Sequence, residues 1–185
     1  MKRLHIQTIE SASEKSRPCP QGLENKFGFI PDLTATMAES PVPINAFVGG
    51  FSSFDGGSFS EGEKQVLLLT GAVMLRSPWT VALHSTMALQ EGVSGNDVDA
   101  IHRGRLPKDP KYAALAALAR ALIEKRGHVT DAEVETFTSA GYSEIQVLEV
   151  IYGIGISTMA ATLGNLAGTS IDDRLKAQAC AAARK

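Results

Sequence analysis

Cysteine is almost missing from this chain. Cys19 and Cys180 stand near opposite ends of 185 residues, and no Cys-x-x-Cys occurs anywhere. That excludes a local dithiol redox pair, and so few thiols suit a reducing, cytoplasmic setting. Both cysteines read as incidental, and the sequence leaves open whether they meet in the fold. Excess charge is also missing. The net charge is −2 and no extended basic run occurs, so neither a nucleic-acid nor an anionic-membrane surface is expected. Met1 to Gln7 carries Lys2 and Arg3 without a following apolar stretch, so no secretory leader is expected. The four histidines make no metal-ligand spacing with one another or with acids, so no metal and no cofactor are expected. Strand-type alternation, internal repeats and low-complexity linkers are absent. The apolar run at 151–161 is broken by Tyr152, Ser157, Thr158 and the glycines at 153 and 155, and reads as a buried helix rather than a membrane span.

What remains is a chain punctuated for helices. With 44% hydrophobic and 21% charged residues, its length suits one soluble domain with a sizeable core. Residues 1–22, through Pro18-Cys19-Pro20, read as an extended lead, and 23–185 as one all-α domain. Prolines open helices at 31–39 and 41–54, and Asp55-Gly56-Gly57-Ser58 breaks the chain. Ser60-Glu61-Gly62-Glu63 is a capping box ahead of a run apolar almost all round, which marks a central helix ending near Arg76. A helix over 78–91 is closed by Gly92, a short one runs from Ser94 to Gly104, and another runs from Asp109-Pro110 to a stop at Gly127. Capping boxes at Thr130-Asp131-Ala132-Glu133 and Ser143-Glu144-Ile145-Gln146 start the last two, which end near 140 and 167. Gly153, Gly155 and Gly164 would let a neighbouring helix approach closely, at about 1 kcal/mol of helix propensity each.

The richest stretch is Ser77-Pro78-Trp79-Thr80-Val81-Ala82-Leu83-His84. Serine before proline is a strong helix start, because the hydroxyl can accept an orphan N–H while proline at the first helical position loses no bond. At separations of three and four, Ser77, Thr80 and His84 share one face of an otherwise apolar helix. A serine triad is excluded there, since Ser77 and His84 are two turns and about 10.5 Å of rise apart. Bland readings stand beside functional ones: Ser77 as a cap, Thr80 bonded to its own backbone, Trp79 as core filler, and His84 as a satisfied core histidine. His102 sits near a helix end, where a cation would complement the dipole, and His5 lies in a start expected to be mobile.

These residues resemble the AhpD-like, carboxymuconolactone decarboxylase superfamily. Its peroxidase branch carries Cys-x-x-Cys-x-x-x-His at such a helix start, with a glutamate twelve positions before the first cysteine. Laid on this chain, the cysteines fall on Ser77 and Thr80, the histidine on His84 and the glutamate on Gln65. Only the histidine survives. Phe27-Gly28-Phe29-Ile30-Pro31-Asp32-Leu33, the helix start at Ser60 to Glu63, and Gly141-Tyr142-Ser143-Glu144-Ile145 through Leu148-Glu149-Val150 also look like that family's landmarks, so the resemblance reaches from about 23 to 172. It implies an AhpD-like multi-helix bundle and a homo-oligomer, trimer or hexamer.

In a dithiol peroxidase a thiolate attacks the peroxide and the second cysteine resolves the sulfenic acid. Serine and threonine do neither, and Gln65 cannot relay a proton as glutamate does. Two classes of function then stand. In one, implied by the thiol-free decarboxylase branch, the chain is a cofactor-independent enzyme of decarboxylase or isomerase type acting on a small organic acid or lactone. His84 would be its general acid or base, with Gln65, Ser77, Trp79 and Thr80 around the substrate. In the other it is a redox-inactive relative that binds a small molecule or builds an assembly. A third, weaker reading keeps hydroperoxide chemistry through Cys19 or Cys180.

Overall fold

The computed structural model describes residues 4–171, Lys26 and Phe27 by backbone alone, so Cys180 and the end of the expected 23–185 domain lie outside the described residues. The described residues form nine α-helices and no strand. In chain order these are α1 (Pro18–Phe27), α2 (Asp32–Met37), α3 (Pro41–Asp55), α4 (Glu61–Met74), α5 (Pro78–Gln90), α6 (Gly95–His102), α7 (Pro110–Glu124), α8 (Asp131–Ser139) and α9 (Glu144–Ala167). The three capping boxes form as expected. Ser60, Thr130 and Ser143 each accept the N–H three residues on, and the side chains of Glu63, Glu133 and Gln146 return to the cap N–H. Such caps contribute about 1 kcal/mol each.

The start of the chain differs from the extended lead expected. α1 begins inside it, because Pro18 takes the first helical position, where a missing N–H costs nothing. The residues before it are tied down. Gln7 N–H donates to Ala35 O at 3.1 Å, Arg17 Nε donates to Ile9 O at 3.0 Å, and Ala12 is buried. His5 is not free either, since its backbone N–H and its ring Nδ1 both meet the Glu39 carboxylate at 3.1 Å.

α4 is the axis of the bundle. Every residue from Gly62 to Ala72 is buried, packed chiefly against α5, α7 and α9. Val66, Leu67, Leu68 and Leu69 meet Leu115 and Leu118 of α7 and Val150 and Ile156 of α9 in one continuous core. A fully buried side chain of this kind stabilises by about 1.5–3 kcal/mol. The crossing of α4 and α9 depends on glycine. A Cβ on Gly153 would lie 2.6 Å from Leu67 Cδ2, and one on Gly71 would lie 2.5 Å from Ser157 Oγ. Gly155 does not share that role, for it faces open space. Nor is 151–161 buried all round: Gly153, Ile156, Ser157, Ala160 and Ala161 face the core, while Ile151, Tyr152 and Met159 are exposed. Tyr152 lies over Gly50 and beside Phe54 at the surface. With 24 residues and an 18-residue window of mean hydropathy 1.5, α9 is long and apolar enough to cross a membrane, but its inner face belongs to the bundle.

Candidate functional site

The α4–α5 junction is built from three residues, Leu75, Arg76 and Ser77. Arg76 adopts a left-handed backbone, φ +52°, and donates its N–H to Val73 O, while Ser77 N–H donates to Ala72 O. This is a Schellman closure with arginine at the position glycine usually takes, held at a cost of about 1 kcal/mol. It turns the chain so that Pro78 starts α5 directly against α4.

Ser77 stands at the N-cap position, yet its hydroxyl caps nothing. Its Oγ pairs instead with Thr80 Oγ1 at 2.8 Å, and Thr80 makes that bond rather than one to its own backbone. The cap expected of Ser77 and the backbone bond considered for Thr80 are both replaced by this hydroxyl pair. The reason is geometric: at three residues' separation on a helix start, the two hydroxyls face each other across one turn. Both residues are fully buried, and Trp79 is buried in the core beside them.

One turn on, His84 is 2% exposed. Its Nδ1 lies 2.9 Å from Gln65 Oε1 on α4. An amide oxygen only accepts, so Nδ1 carries the proton and donates, which leaves Nε2 as the lone-pair nitrogen. Burial lowers the His84 pKa to about 4, so the ring is neutral at neutral pH. Among the described residues nothing bonds its Nε2. That nitrogen keeps a sliver of accessible surface, since the only fully enclosed unpartnered side-chain atom among them is Thr169 Oγ1. The structure therefore brings Gln65 and His84 into contact, and Ser77 and Thr80 into contact, on one face of α5.

Several positioning groups carried no clear signal in the sequence. His102, expected to serve a helix dipole, bonds Ser85 instead: Ser85 Oγ donates to Val81 O at 2.6 Å, so His102 Nε2 donates to Ser85 Oγ at 2.6 Å. That contact holds α5 beside α6 at the residue next to His84. Asn165 Nδ2 donates to Leu75 O at 2.9 Å and ties α9 to the α4–α5 turn. A Cβ on Gly164 would sit 3.4 Å from Ser77 Oγ, so α9 closes over the hydroxyl pair, as the helical glycine suggested.

A second buried polar cluster lies at the start of α4. Glu63 accepts from Ser60 N–H and Ser60 Oγ, both at 2.8 Å, and pairs with Lys111 Nζ at 2.8 Å. Lys111 also lies 4.9 Å over the Tyr142 ring, which stacks on Phe137. Burial pushes the Glu63 carboxyl up, but Lys111 and the two Ser60 bonds outweigh it, and its pKa ends below the ordinary value. Elsewhere, a cleft of about 10 Å³ lined by Thr70, Ile101 and Ala116 with Arg105 and Arg120 has room for one water at most. Among the described residues no three His, Cys, Asp or Glu side chains gather as a metal site would require. Cys19 Sγ donates to Asn45 Oδ1 at 3.1 Å, and burial raises its thiol pKa, which disfavours the reactive thiolate.

No family model and no curated protein matches the sequence. Solved structures match over nearly the whole chain. A peroxidase-related protein from Ralstonia eutropha JMP134, described as an alkylhydroperoxidase AhpD core, superposes with a TM-score of 0.83 at 15% identity, covering 94% of this chain and 93% of that one. A peroxidase-related protein from Silicibacter sp. TM1040 gives 0.79 at 13% identity, covering 96% and 94%. The debrominase Bmp8 gives 0.79 at 19% identity, covering 98% of each chain. A structure of a cysteine-to-alanine variant of Bmp8 holds 2,3,4-tribromopyrrole and gives 0.78. This chain has the AhpD-like, all-α fold.

Proposed function

We propose that this chain uses its AhpD-like fold as a cofactor-independent acid–base enzyme on a small organic molecule, with His84 Nε2 as the proton acceptor. The Gln65–His84 bond carries the reading, because it holds the imidazole in one tautomer and aims the Nε2 lone pair away from Gln65. With a pKa near 4 the ring starts neutral, so its first act is to take a proton, and it becomes an acid only after that. A decarboxylation can run on such a group. A substrate carboxylic acid gives its proton to Nε2, the C–C bond to the carboxylate breaks, and carbon dioxide leaves. The electron pair left on carbon then takes the proton back. An isomerisation uses the same nitrogen to move a proton between two carbons. Gln65 Nε2, which has no partner among the described residues, can donate to a substrate oxygen, with the Ser77–Thr80 pair beside the ring and Trp79 in the wall. The like-folded debrominase, a variant of which holds a brominated pyrrole, supports a small ring compound as the size class.

The deep burial of His84 favours one other reading, a redox-inactive relative in which Gln65 and His84 simply satisfy each other inside the bundle. Hydroperoxide chemistry through Cys19 is disfavoured by its raised thiol pKa. A thermal-shift screen of small carboxylic acids, lactones, quinones and halogenated pyrroles on wild type and His84→Asn separates the two. A native-state ligand at a hundred times its Kd adds about 2.7 kcal/mol. A compound that raises the wild-type midpoint and not the variant's supports the enzyme reading and becomes the substrate to assay for turnover. No hit, with His84→Asn several degrees less stable, would leave the packing reading.

A further inference from the structure

The outer face of α9 is an apolar seam that the other described residues leave largely exposed, α3 touching it only at Tyr152. Ile145, Leu148, Tyr152, Gly155, Met159, Thr162 and Leu166 follow one another at spacings of three and four, the seven-residue repeat of a helix that packs along a second helix. The large members are 73%, 67%, 46%, 40% and 56% exposed in chain order, and Ile151 flanks them at 49%. Together they expose on the order of 600 Å² of apolar surface, the top of the range for a monomer's largest patch and near the ~800 Å² per partner of a standard interface. Charge is absent from the seam. Glu144 and Glu149 are the only charged residues on α9, and Glu149 is engaged with Ser58 N–H at 2.9 Å.

We infer that this face is a two-fold, antiparallel contact with a second copy of the chain. Without flanking charges the seam has no means to choose a different partner, and without lysine or arginine on α9 it has no anchors for lipid headgroups. It does fit itself. Reversed on its own midpoint near Gly155, α9 sets Ile145 against Leu166, Leu148 against Thr162 and Leu163, and Tyr152 against Met159, a sulfur–aromatic pairing. The glycines then cross at the axis, where backbones come closest, and the two helix dipoles oppose. A parallel pair would stack Tyr152 on Tyr152, leave a void at Gly155 and bring the two Glu144 carboxylates together. An isologous contact closes at two copies, so the trimer or hexamer that the family resemblance implies needs another interface elsewhere.

Sedimentation of the full chain at tens of micromolar tests this. A dimer is expected for wild type, with association more than tenfold weaker in Met159→Glu and in Leu148→Glu at unchanged helical circular dichroism. Val42→Glu, at an exposed apolar position on α3, should associate as wild type does. In a Cys19→Ser, Cys180→Ser background, Gly155→Cys should cross-link to itself and Ile145→Cys should not. A monomeric wild type overturns the inference, as does a dimer indifferent to both glutamates, and self-cross-linking of Ile145→Cys overturns the antiparallel arrangement. A monomer that sediments with neutral lipid vesicles would give the face to a membrane instead and equally overturn it.

Discussion

Glu63 and Gln65 stand two residues apart on α4, both buried, and meet the cost of burial in opposite ways. Glu63 is charged and fully engaged: a lysine, a hydroxyl and a backbone N–H share its carboxylate. Gln65 is uncharged and, among the described residues, engaged once, to a histidine that is itself neutral, and each of the two retains a polar group that none of those residues bonds. A buried cluster with every valence filled specifies structure and leaves nothing for a ligand to do. A buried pair with open valences costs stability and is retained where it does something.

The largest effect that can break this contrast is in pH. The folded pKa of His84, about 4, lies below its ordinary 6.5, so between those values the unfolded chain binds a proton that the folded chain refuses. Stability from this group is therefore constant above pH 6.5 and falls as pH drops toward 4, by on the order of 3 kcal/mol. His84→Gln should flatten that part of the urea-unfolding profile, and a variant that falls as steeply as wild type would refute the neutral-ring assignment. Glu63→Ala should cost about 2 kcal/mol at neutral pH by loss of its ion pair and capping bond, seen as a lower thermal midpoint with no change in ligand response. Gln65→Leu should cost about 1–2 kcal/mol, because it strands the Nδ1–H of His84, and it should abolish any ligand-induced stabilisation. Nitrogen shifts of the ring that still report one tautomer would show that Gln65 does not hold it. At the small end, Arg76→Gly should add about 0.5–1 kcal/mol by relieving the left-handed turn, read from the same unfolding curves.

Legibility in the sequence followed locality. The capping boxes at Ser60, Thr130 and Ser143 and the stops at Gly92 and Gly127 are short-range events, and the helices they bound were readable from them. α1 was not, because proline serves equally as a helix's first residue and as part of an extended lead. The segment ahead of it, at His5 and Gln7, leans on Glu39 and Ala35 from elsewhere in the chain. The partner of Ser77 was hidden for a similar reason: an N-cap and a hydroxyl pair have the same sequence, and only backbone dihedrals divide them. His84 entered as a candidate from its place on an apolar helix and Gln65 through family resemblance, while the bond between them spans nineteen positions and needed the α4–α5 packing. The outer side of α9 read as core because an apolar helix looks alike whether its second face meets the bundle or another surface.

The bonds from α9 back to α4 also set an order of events. Ser157 Oγ reaches Leu68 O and Asn165 Nδ2 reaches Leu75 O across 89 and 90 positions of chain. On the ribosome α4, the buried axis of the bundle, therefore waits through the synthesis of four more helices before the one that covers its glycine-lined side arrives. Until then its Leu67 flank is open to any other nascent chain. The completion of α9 rather than of α4 is then the step at which this protein escapes aggregation.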